Sequence, residues 1–417
     1  MGNRFWHNFS WQTINYGVSG LLLVGLWVLL ARYWSVAEFG RFNALFALAA
    51  IYGLVMEFGL DFYVTKQTAL IDASHSDDSN DSDAANSQHN PYSHALVAFR
   101  CTAALLTGVV FVAIGWWLDY PLLPLVLFIV GAFTLNLAHF FCCYLRGIEK
   151  LSVEAIISLI RNIAFVVLAF VGVSLGQSVV WVAGCYFAVN VVFIVASFAV
   201  IKRYQFTFAQ SGAAIGRILT TTLPVWIASL LFGMTIKLDI LLLEQWGSTE
   251  ALGHFSSAAR IFEGCLLVAT AYVLTYFPQL SRYATSQMRE YPSFVFKSAK
   301  LLLLLAVVGS VLGIVIGADL FVWLYGPSYQ AAEGIFRQLI YLLPISIMVV
   351  FFYNALIIAA KSTQVVALLL FALLMQLLLD GYLIPLYQGD GAFYGLLVKE
   401  SFLLLSFCYL LLGRWNE

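Results

Sequence analysis

Charged side chains that lie inside long apolar segments are the residues of this sequence best suited to binding chemistry. A charge within a membrane span is costly, so it faces the interior of a helix bundle or a water-filled cavity. There it either binds a charged or polar substrate or pairs with another buried charge. The candidate substrate-binding residues are Arg161, Lys237, Asp239, Arg260, Arg337 and Lys399.

Local spacing leaves two roles open for part of this set. Arg260 and Glu263 are three residues apart, so they share one helical face and can pair with each other. Lys399 can reach Asp380 on the neighbouring predicted span. A structural charge pair and a contact with substrate are therefore both possible for these residues.

Three other cations have no obvious acidic partner in the sequence. Lys237 and Arg337 lack an acid on their own helical face, which favours them as substrate contacts. Arg161 lies roughly eight residues inside its predicted span, about 12 Å from the nearer end. It either extends toward the interface or joins a polar group with Asn136, His139 and Asn162.

The elements that carry these residues follow from composition. The 417 residues are 62% hydrophobic and 10% charged, whereas soluble domains average about 25% charged residues. At roughly 20 residues per span, we predict an all-α integral membrane protein with about twelve transmembrane helices. The predicted spans are 11–31, 42–62, 95–117, 121–145, 153–175, 178–201, 216–243, 250–280, 295–318, 333–359, 363–387 and 391–412.

Charge and cysteine usage exclude several classes of partner and cofactor. The 21 Lys and Arg residues against 22 Asp and Glu residues give no reason to expect a nucleic-acid partner. The six cysteines fall in apolar segments without the spacing of a metal site or a disulfide framework. We therefore predict no metal and no cofactor.

The distribution of Lys and Arg predicts the orientation. Fourteen of these residues, including Arg100, lie in loops or at span ends on the side of the amino terminus, whereas only Arg32 and Arg41 lie on the other side. By the positive-inside rule, both termini are cytoplasmic. The stretch 71–94 is rich in Asp, Ser and Asn and has no Lys or Arg, so we predict a disordered cytoplasmic loop there.

A weak internal repeat predicts two six-helix lobes, 1–201 and 202–417, around a central cavity. The repeated residues are separated by nearly half the chain length, at offsets of 211 to 213. They are Trp34, Glu38, Gly40, Phe42, Phe140, Phe141 and Lys150, which recur as Trp246, Glu250, Gly253, Phe255, Phe351, Phe352 and Lys361.

Several segments resemble polysaccharide biosynthesis membrane proteins. The first half contains LARYWSVAEFGRFNALFAL (30–48) and MEFGLDFYVTKQ (56–67), and the second contains LPVWIASLLFGMTIKLDILLLEQWGSTEALGHFSSAARIFE (223–263), FPQLSR (277–282) and LYGPSYQAA (324–332). These segments are similar to the blocks of O-antigen flippases, within the multidrug/oligosaccharidyl-lipid/polysaccharide (MOP) exporter superfamily. Asp239 lies in a block similar to the family's L-D-x-x-L-L, where structural and transport roles are both open.

The resemblance implies flipping of an undecaprenyl-pyrophosphate-linked oligosaccharide across the bacterial inner membrane, for O-antigen, lipopolysaccharide or other surface polysaccharide synthesis. The cations listed above would then contact the pyrophosphate. The lipid bilayer, a polysaccharide polymerase and a chain-length regulator are the expected partners.

Two alternative functions are weaker. A cation-coupled multidrug or metabolite exporter of the same superfamily is expected to carry a membrane-embedded carboxylate in its first lobe. The first span, 11–30, contains none, and Glu57 and Asp61 lie near the cytoplasmic end of the second span. A membrane glycosyltransferase or polysaccharide polymerase needs a large outer loop with paired acids, and the predicted outer loops are short. We therefore expect a transporter and not an enzyme.

The orientation can be tested by chemical labelling in a chain whose native cysteines have been replaced. Ser79→Cys places a thiol in the loop predicted to be cytoplasmic, and Gln177→Cys places one in a loop predicted to be external. A membrane-impermeant thiol reagent should label position 177 in intact cells and position 79 only after lysis. Labelling at position 79 before lysis would overturn the orientation.

Overall fold

The computed structural model describes residues 2–77, 92–204, 206 and 215–413, and within these ranges the chain forms fourteen α-helices. The first seven are α1 (Gly2–Tyr33), α2 (Val36–Val55), α3 (Leu60–Asp77), α4 (His94–Trp117), α5 (Leu122–Gly147), α6 (Leu151–Ser174) and α7 (Val179–Lys202). The others are α8 (Ile215–Trp246), α9 (Thr249–Ser286), α10 (Tyr291–Leu312), α11 (Ala318–Tyr325), α12 (Ala332–Ile358), α13 (Ser362–Tyr387) and α14 (Gly389–Leu412).

The helices confirm the all-α, multi-pass membrane class. Eleven spans in the described ranges are long and apolar enough to cross a membrane, and Gly17–Tyr33 of α1 is a shorter apolar helix. One span, Tyr291–Tyr325, passes from α10 through a π-helical turn at Gly313–Gly317 into α11. Each of the twelve predicted apolar segments therefore corresponds to helical structure, although 42–62 also contains a turn.

The second predicted span, 42–62, has the wrong boundaries. The helix α2 begins at Val36 and ends at Val55, and a turn then leads into α3. Phe58 and Gly59 have φ angles of 48° and 67° in this turn, which interrupts the helix. The turn contains Glu57 between the apolar residues Met56 and Phe58, and one charge in this segment was not enough for hydropathy alone to reveal the turn.

The predicted disordered loop at 71–94 is only partly within the described chain. Residues 71–77 belong to α3, so the prediction is wrong for them. At the other end, the Ser93 hydroxyl caps α4 by accepting a hydrogen bond from the Leu96 amide at 3.1 Å. Residues 78–91, including Ser79, lie outside the described residues.

The chain divides into two compact units that do not follow its order. The first contains Met1–Leu22 and Leu48–Leu230, and the second contains Leu23–Ala47 and Leu231–Glu417. In the first unit, α5 packs against α3, α4, α6 and α7, and in the second α12 packs against α9, α10, α13 and α14. The predicted boundary at 201/202 came from the repeat, and the two lobes remain a prediction.

Two turns with the same hydrogen bonds coincide with the repeat at offset 211. The Lys150 amide donates to the Leu145 carbonyl at 2.8 Å, and the Lys361 amide donates to the Leu356 carbonyl at 3.0 Å. The residues before these lysines have φ angles of 56° and 58°. Each turn ends the central helix of its unit, α5 or α12, so the repeated lysines occupy equivalent positions.

A second pair of repeated residues brings two helices of the second unit into close contact. A Cβ atom added at Gly40 of α2 would lie 2.8 Å from the Gly253 backbone nitrogen on α9. A Cβ atom added at Gly253 would lie 2.1 Å from the Val36 carbonyl oxygen. Small residues allow helix backbones to approach this closely.

Replacing Gly253 tests whether this contact supports the second unit. Gly253→Ala should lower the thermal unfolding temperature in detergent and the amount of protein in the membrane, because the methyl group meets backbone and not a flexible side chain. Gly309→Ala is the matched control, since a Cβ atom there has no neighbour within 4 Å. Equal unfolding temperatures for the two variants would contradict the proposed role of the contact.

Candidate functional site

A buried group of charges joins α8 and α9 in the second unit. Glu263 accepts from Arg260 at 2.9 Å and from Lys237 at 2.6 Å. The Arg260 guanidinium also donates to the Asn43 side chain at 2.7 Å and lies 4.9 Å from the Trp27 ring centroid. One carboxylate therefore serves two cations, and the predicted Arg260–Glu263 pair is present.

Lys237 corrects part of the sequence interpretation. It was expected to lack an acidic partner because none lies on its own helical face. Its partner Glu263 is on the following helix, 26 residues away. The structure therefore removes the argument that favoured Lys237 as a substrate contact, and its role in binding remains a prediction.

A second buried group lies on α8, α13 and α14. The Asp239 carboxylate accepts a hydrogen bond from Gln376 at 2.5 Å. The Lys399 ammonium donates to the Thr235 carbonyl at 3.0 Å and pairs with Glu400 at 3.0 Å. Asp380 is fully buried beside this group.

The expected Lys399–Asp380 pair is corrected by these contacts. Lys399 projects from α14 to the α8 backbone, where it bonds to Thr235, and it also pairs with Glu400. Asp380 forms no ion pair among the described residues, and its carboxyl group shares a side-chain hydrogen bond with Asp239. Asp380 instead packs on Gly395, whose missing side chain leaves the space that the carboxyl group fills.

A small cavity lies between the two groups. Its volume is about 30 Å³ and its lining includes Asp239, Glu263, Lys399 and Glu400. A space of this size holds about one water molecule and has enough polar neighbours to bind it. Three helices, α8, α9 and α14, therefore bring both charge groups to one polar site inside the second unit.

Arg337 also has a partner that the sequence interpretation missed. Its guanidinium pairs at 2.8 Å with Glu333, one helical turn earlier on α12, and its side chain is 47% exposed. An exposed pair of this type contributes little to stability. The expectation that Arg337 lacks an acidic partner is therefore wrong.

In the first unit, Arg161 on α6 binds neutral groups. It donates to the side-chain oxygen of Asn190 at 3.2 Å and also to that of Asn162. Its guanidinium lies 5.4 Å from the Phe193 ring centroid. No ion pair involving Arg161 is present in the part of the chain that the structure describes.

Only part of the polar group predicted around Arg161 is assembled. Asn162 contacts Arg161, whereas Asn136 accepts from Arg100 and donates to the Gly53 carbonyl at 3.1 Å. His139 packs edge-on against Phe193, with ring centroids 5.6 Å apart. Of the three predicted neighbours of Arg161, Asn162 therefore contacts it directly, whereas Asn136 and His139 contact other groups.

Arg100 is a buried charge that sequence reasoning assigned to the cytoplasmic side. It is 0% exposed, pairs with Asp61 at 2.5 Å and lies 4.3 Å from the Phe140 ring centroid. Arg100 lies near the start of α4. At such a position the sequence does not distinguish a charge in a loop from a charge buried at the end of a helix. The sequence signal for a buried partner of Arg100 was Asp61 at the start of α3, because it is an acidic residue next to an apolar segment.

The family follows from sequence comparison. Residues 5–284 match the family described as Polysaccharide biosynthesis protein. This range covers most of the chain and includes Arg161, Lys237, Asp239 and Arg260. The chain belongs to this family, which confirms the resemblance drawn from the sequence segments. No curated protein matches the sequence.

Solved structures identify the fold as that of MOP superfamily transporters. The chain is similar to the lipid II flippase MurJ in an inward closed conformation, with a TM-score of 0.70 and 12% identity over 95% of this chain and 86% of that chain. It is also similar to an inward-facing multidrug resistance MATE family transporter, with a TM-score of 0.66 and 16% identity over 94% of this chain and 93% of that chain.

A third similar structure is a MOP superfamily transporter from Pyrococcus furiosus described as having a binding pocket of reversed polarity. Its TM-score is 0.61, with 14% identity over 96% of this chain and 94% of that chain. At these identities the comparisons establish a shared fold, and pocket chemistry has to be argued from this chain's own residues.

The shared carboxylate in the second unit predicts unequal effects of substitution. Glu263→Ala should reduce stability more than Lys237→Ala, because it removes the partner of both the buried Arg260 and the partly buried Lys237, whereas the second change leaves Glu263 paired with Arg260. Breaking a buried pair costs about 3–5 kcal/mol. Thermal unfolding in detergent measures the difference, with Glu333→Ala as the control at an exposed pair. A smaller loss for Glu263→Ala than for Lys237→Ala would contradict the shared-carboxylate interpretation.

Proposed function

We propose that the protein flips a polyprenyl-pyrophosphate-linked oligosaccharide from the cytoplasmic to the outer leaflet of the bacterial inner membrane. Membership of the polysaccharide biosynthesis family supports the saccharide class of the substrate. The fold shared with a lipid II flippase is compatible with a lipid-linked substrate. O-antigen or another surface polysaccharide is the proposed product of the pathway.

The observation that carries this proposal is the charge of Arg161. Its guanidinium donates hydrogen bonds to two neutral amides, Asn162 and Asn190. An arginine in an apolar span needs water or an anion to balance its charge. The pyrophosphate of a lipid-linked saccharide is such an anion, and a guanidinium binds it with charge-assisted hydrogen bonds.

The other candidate residues have a different place in the proposal. Lys237, Arg260 and Lys399 each have an acidic partner in the second unit. They reach an anionic substrate only when their partners are displaced or when the whole group shifts. We therefore propose Arg161 as the primary pyrophosphate contact and assign the paired cations and Asp239 to conformational stability first.

The polymerase and the chain-length regulator belong to the same proposal. A flipped lipid-linked repeat unit has to be joined to others at the outer face before it forms a long polysaccharide. The flippase supplies the substrate for that step, so these proteins are the proposed partners. The exporter alternative has less support, since α1 contains no Asp or Glu among its residues.

Deleting the gene in its own host tests the proposed substrate class. Surface polysaccharide should fall, lipid-linked oligosaccharide should accumulate in the inner membrane, and sensitivity to cationic drugs should stay unchanged. The wild-type gene and Arg217→Gln, a change at an exposed cation, should restore the polysaccharide. Arg161→Gln should restore less than about a tenth of it at normal abundance in the membrane, since the amide lacks the charge that binds phosphate.

Two results would contradict the proposal. Normal polysaccharide together with raised drug sensitivity in the deleted strain would favour the exporter alternative. Full restoration by Arg161→Gln would retain the substrate class and remove Arg161 as its pyrophosphate contact. Arg161→Lys, which keeps a charge and loses the planar guanidinium, should restore an intermediate amount.

A further inference from the structure

A groove in the second unit lies between the end of α1 and the segment from α11 to the start of α12. Its volume is about 970 Å³, near the upper end of the range for small-molecule pockets, roughly 300–1,000 Å³. The orientation predicted from Lys and Arg places this end of α1 at the outer face of the membrane. The groove is thus distinct from the buried charges of the candidate site.

The walls of the groove are held together by Arg32. Its guanidinium, near the end of α1, donates to the carbonyls of Trp323 and Leu324 in the last turn of α11. These carbonyls are orphan acceptors at a helix end, where a cation is favourable. Beneath them, Tyr325 is 1% exposed and stacks on Phe321 with ring centroids 4.8 Å apart. The groove is therefore supported by a packed floor.

Its rim combines exposed aromatic rings with polar side chains. Trp323 and Tyr33 are 70% and 53% exposed, so the rest of the described chain does not cover their rings. The exposed side chains of Asp319 and Gln330 also line the groove. Asp319 forms no ion pair or side-chain hydrogen bond with the described residues, so its carboxylate can accept hydrogen bonds from hydroxyl groups.

This set of groups suits a saccharide better than a lipid head group. The apolar C–H face of a pyranose ring packs on an aromatic ring, and its hydroxyls bond to carboxylate and amide oxygens. A phosphate would instead meet the Asp319 and Glu333 carboxylates, and the guanidinium of Arg32 is already bonded to carbonyls. Like charges in a site disfavour an anionic ligand.

We infer that this groove binds the oligosaccharide head group on the outer side of the membrane, with Trp323 and Tyr33 as stacking platforms. The inference rests on the proposed function, because it takes the substrate class from it. The saccharide binds there once the head group has reached the outer leaflet. Binding at the outer face disfavours its return to the cytoplasmic side.

Saturation-transfer NMR on the full chain in lipid nanodiscs tests the groove. The probe is the free oligosaccharide repeat unit released from the host's own surface polysaccharide. Wild-type protein should transfer saturation to the pyranose ring protons, and Trp323→Ala should weaken binding about tenfold. Trp117→Ala is the matched control, because Trp117 is 81% exposed at the end of α4 and does not line the groove.

The possible outcomes test saccharide binding in the groove separately from the proposed function. Equal saturation transfer by wild type and Trp323→Ala, or no transfer by wild type, contradicts saccharide binding in the groove. This holds even when gene deletion lowers surface polysaccharide. An equal loss of binding in Trp117→Ala also contradicts saccharide binding in the groove, since any exposed interfacial tryptophan would then contribute equally. If deletion leaves the polysaccharide unchanged, the proposed function fails, whereas a loss confined to Trp323→Ala still establishes a saccharide site. Tyr33→Ala, which leaves the Arg32 contacts in place, should weaken binding in the same direction.

Discussion

The balance of charge inside apolar helices is the constraint on which the structure depends. Ions in this environment are costly, and a broken buried pair costs more than an intact pair gains. Arg100 is fully buried and meets Asp61, and Arg260 and Lys237 share Glu263. Each of these contacts joins two different helices or adjacent turns, so helix packing is correct only when the charges meet.

Close contact between helix backbones is required in addition to the balance of charge. A pair such as Lys237–Glu263 needs α8 and α9 to have one fixed register, since its atoms lie 2.6 Å apart. The Gly40–Gly253 contact fixes the position of α9 against α2 in the same unit. From that position the Arg260 side chain reaches Asn43 on α2. Small residues therefore determine the distance between helices, and polar groups determine their register.

The sequence predicted much of the fold because membrane helices depend on hydropathy. The prediction 121–145 corresponds to Leu122–Gly147, and 391–412 corresponds to Gly389–Leu412. The turn at 56–59 was missed because apolar residues flank Glu57 on both sides and keep the mean hydropathy of the segment high. Its signal is conformational, a positive φ angle at Phe58 and Gly59, and glycine is the residue type that tolerates such an angle.

The candidate site was less predictable for a geometric reason. The spacing of Arg260 and Glu263 on one helix was sufficient to predict their pair, because residues three apart share a face. No local spacing relates Lys237 to Glu263 or Arg100 to Asp61, since these partners are on different helices. Arg337 was misjudged although Glu333 lies four residues away, which is within reach of simple helical geometry.

The shared fold leaves the substrate to be determined by individual polar residues. Structures described as a flippase and as a multidrug transporter match this chain almost equally well, with TM-scores of 0.70 and 0.66. Helix packing is therefore compatible with different cargoes, and charges already neutralised by a partner contribute mainly to that packing. A charge without an acidic partner, such as Arg161 among neutral amides, gains more from an anionic ligand. Substrate class should consequently follow the positions of such uncompensated groups more closely than it follows the fold.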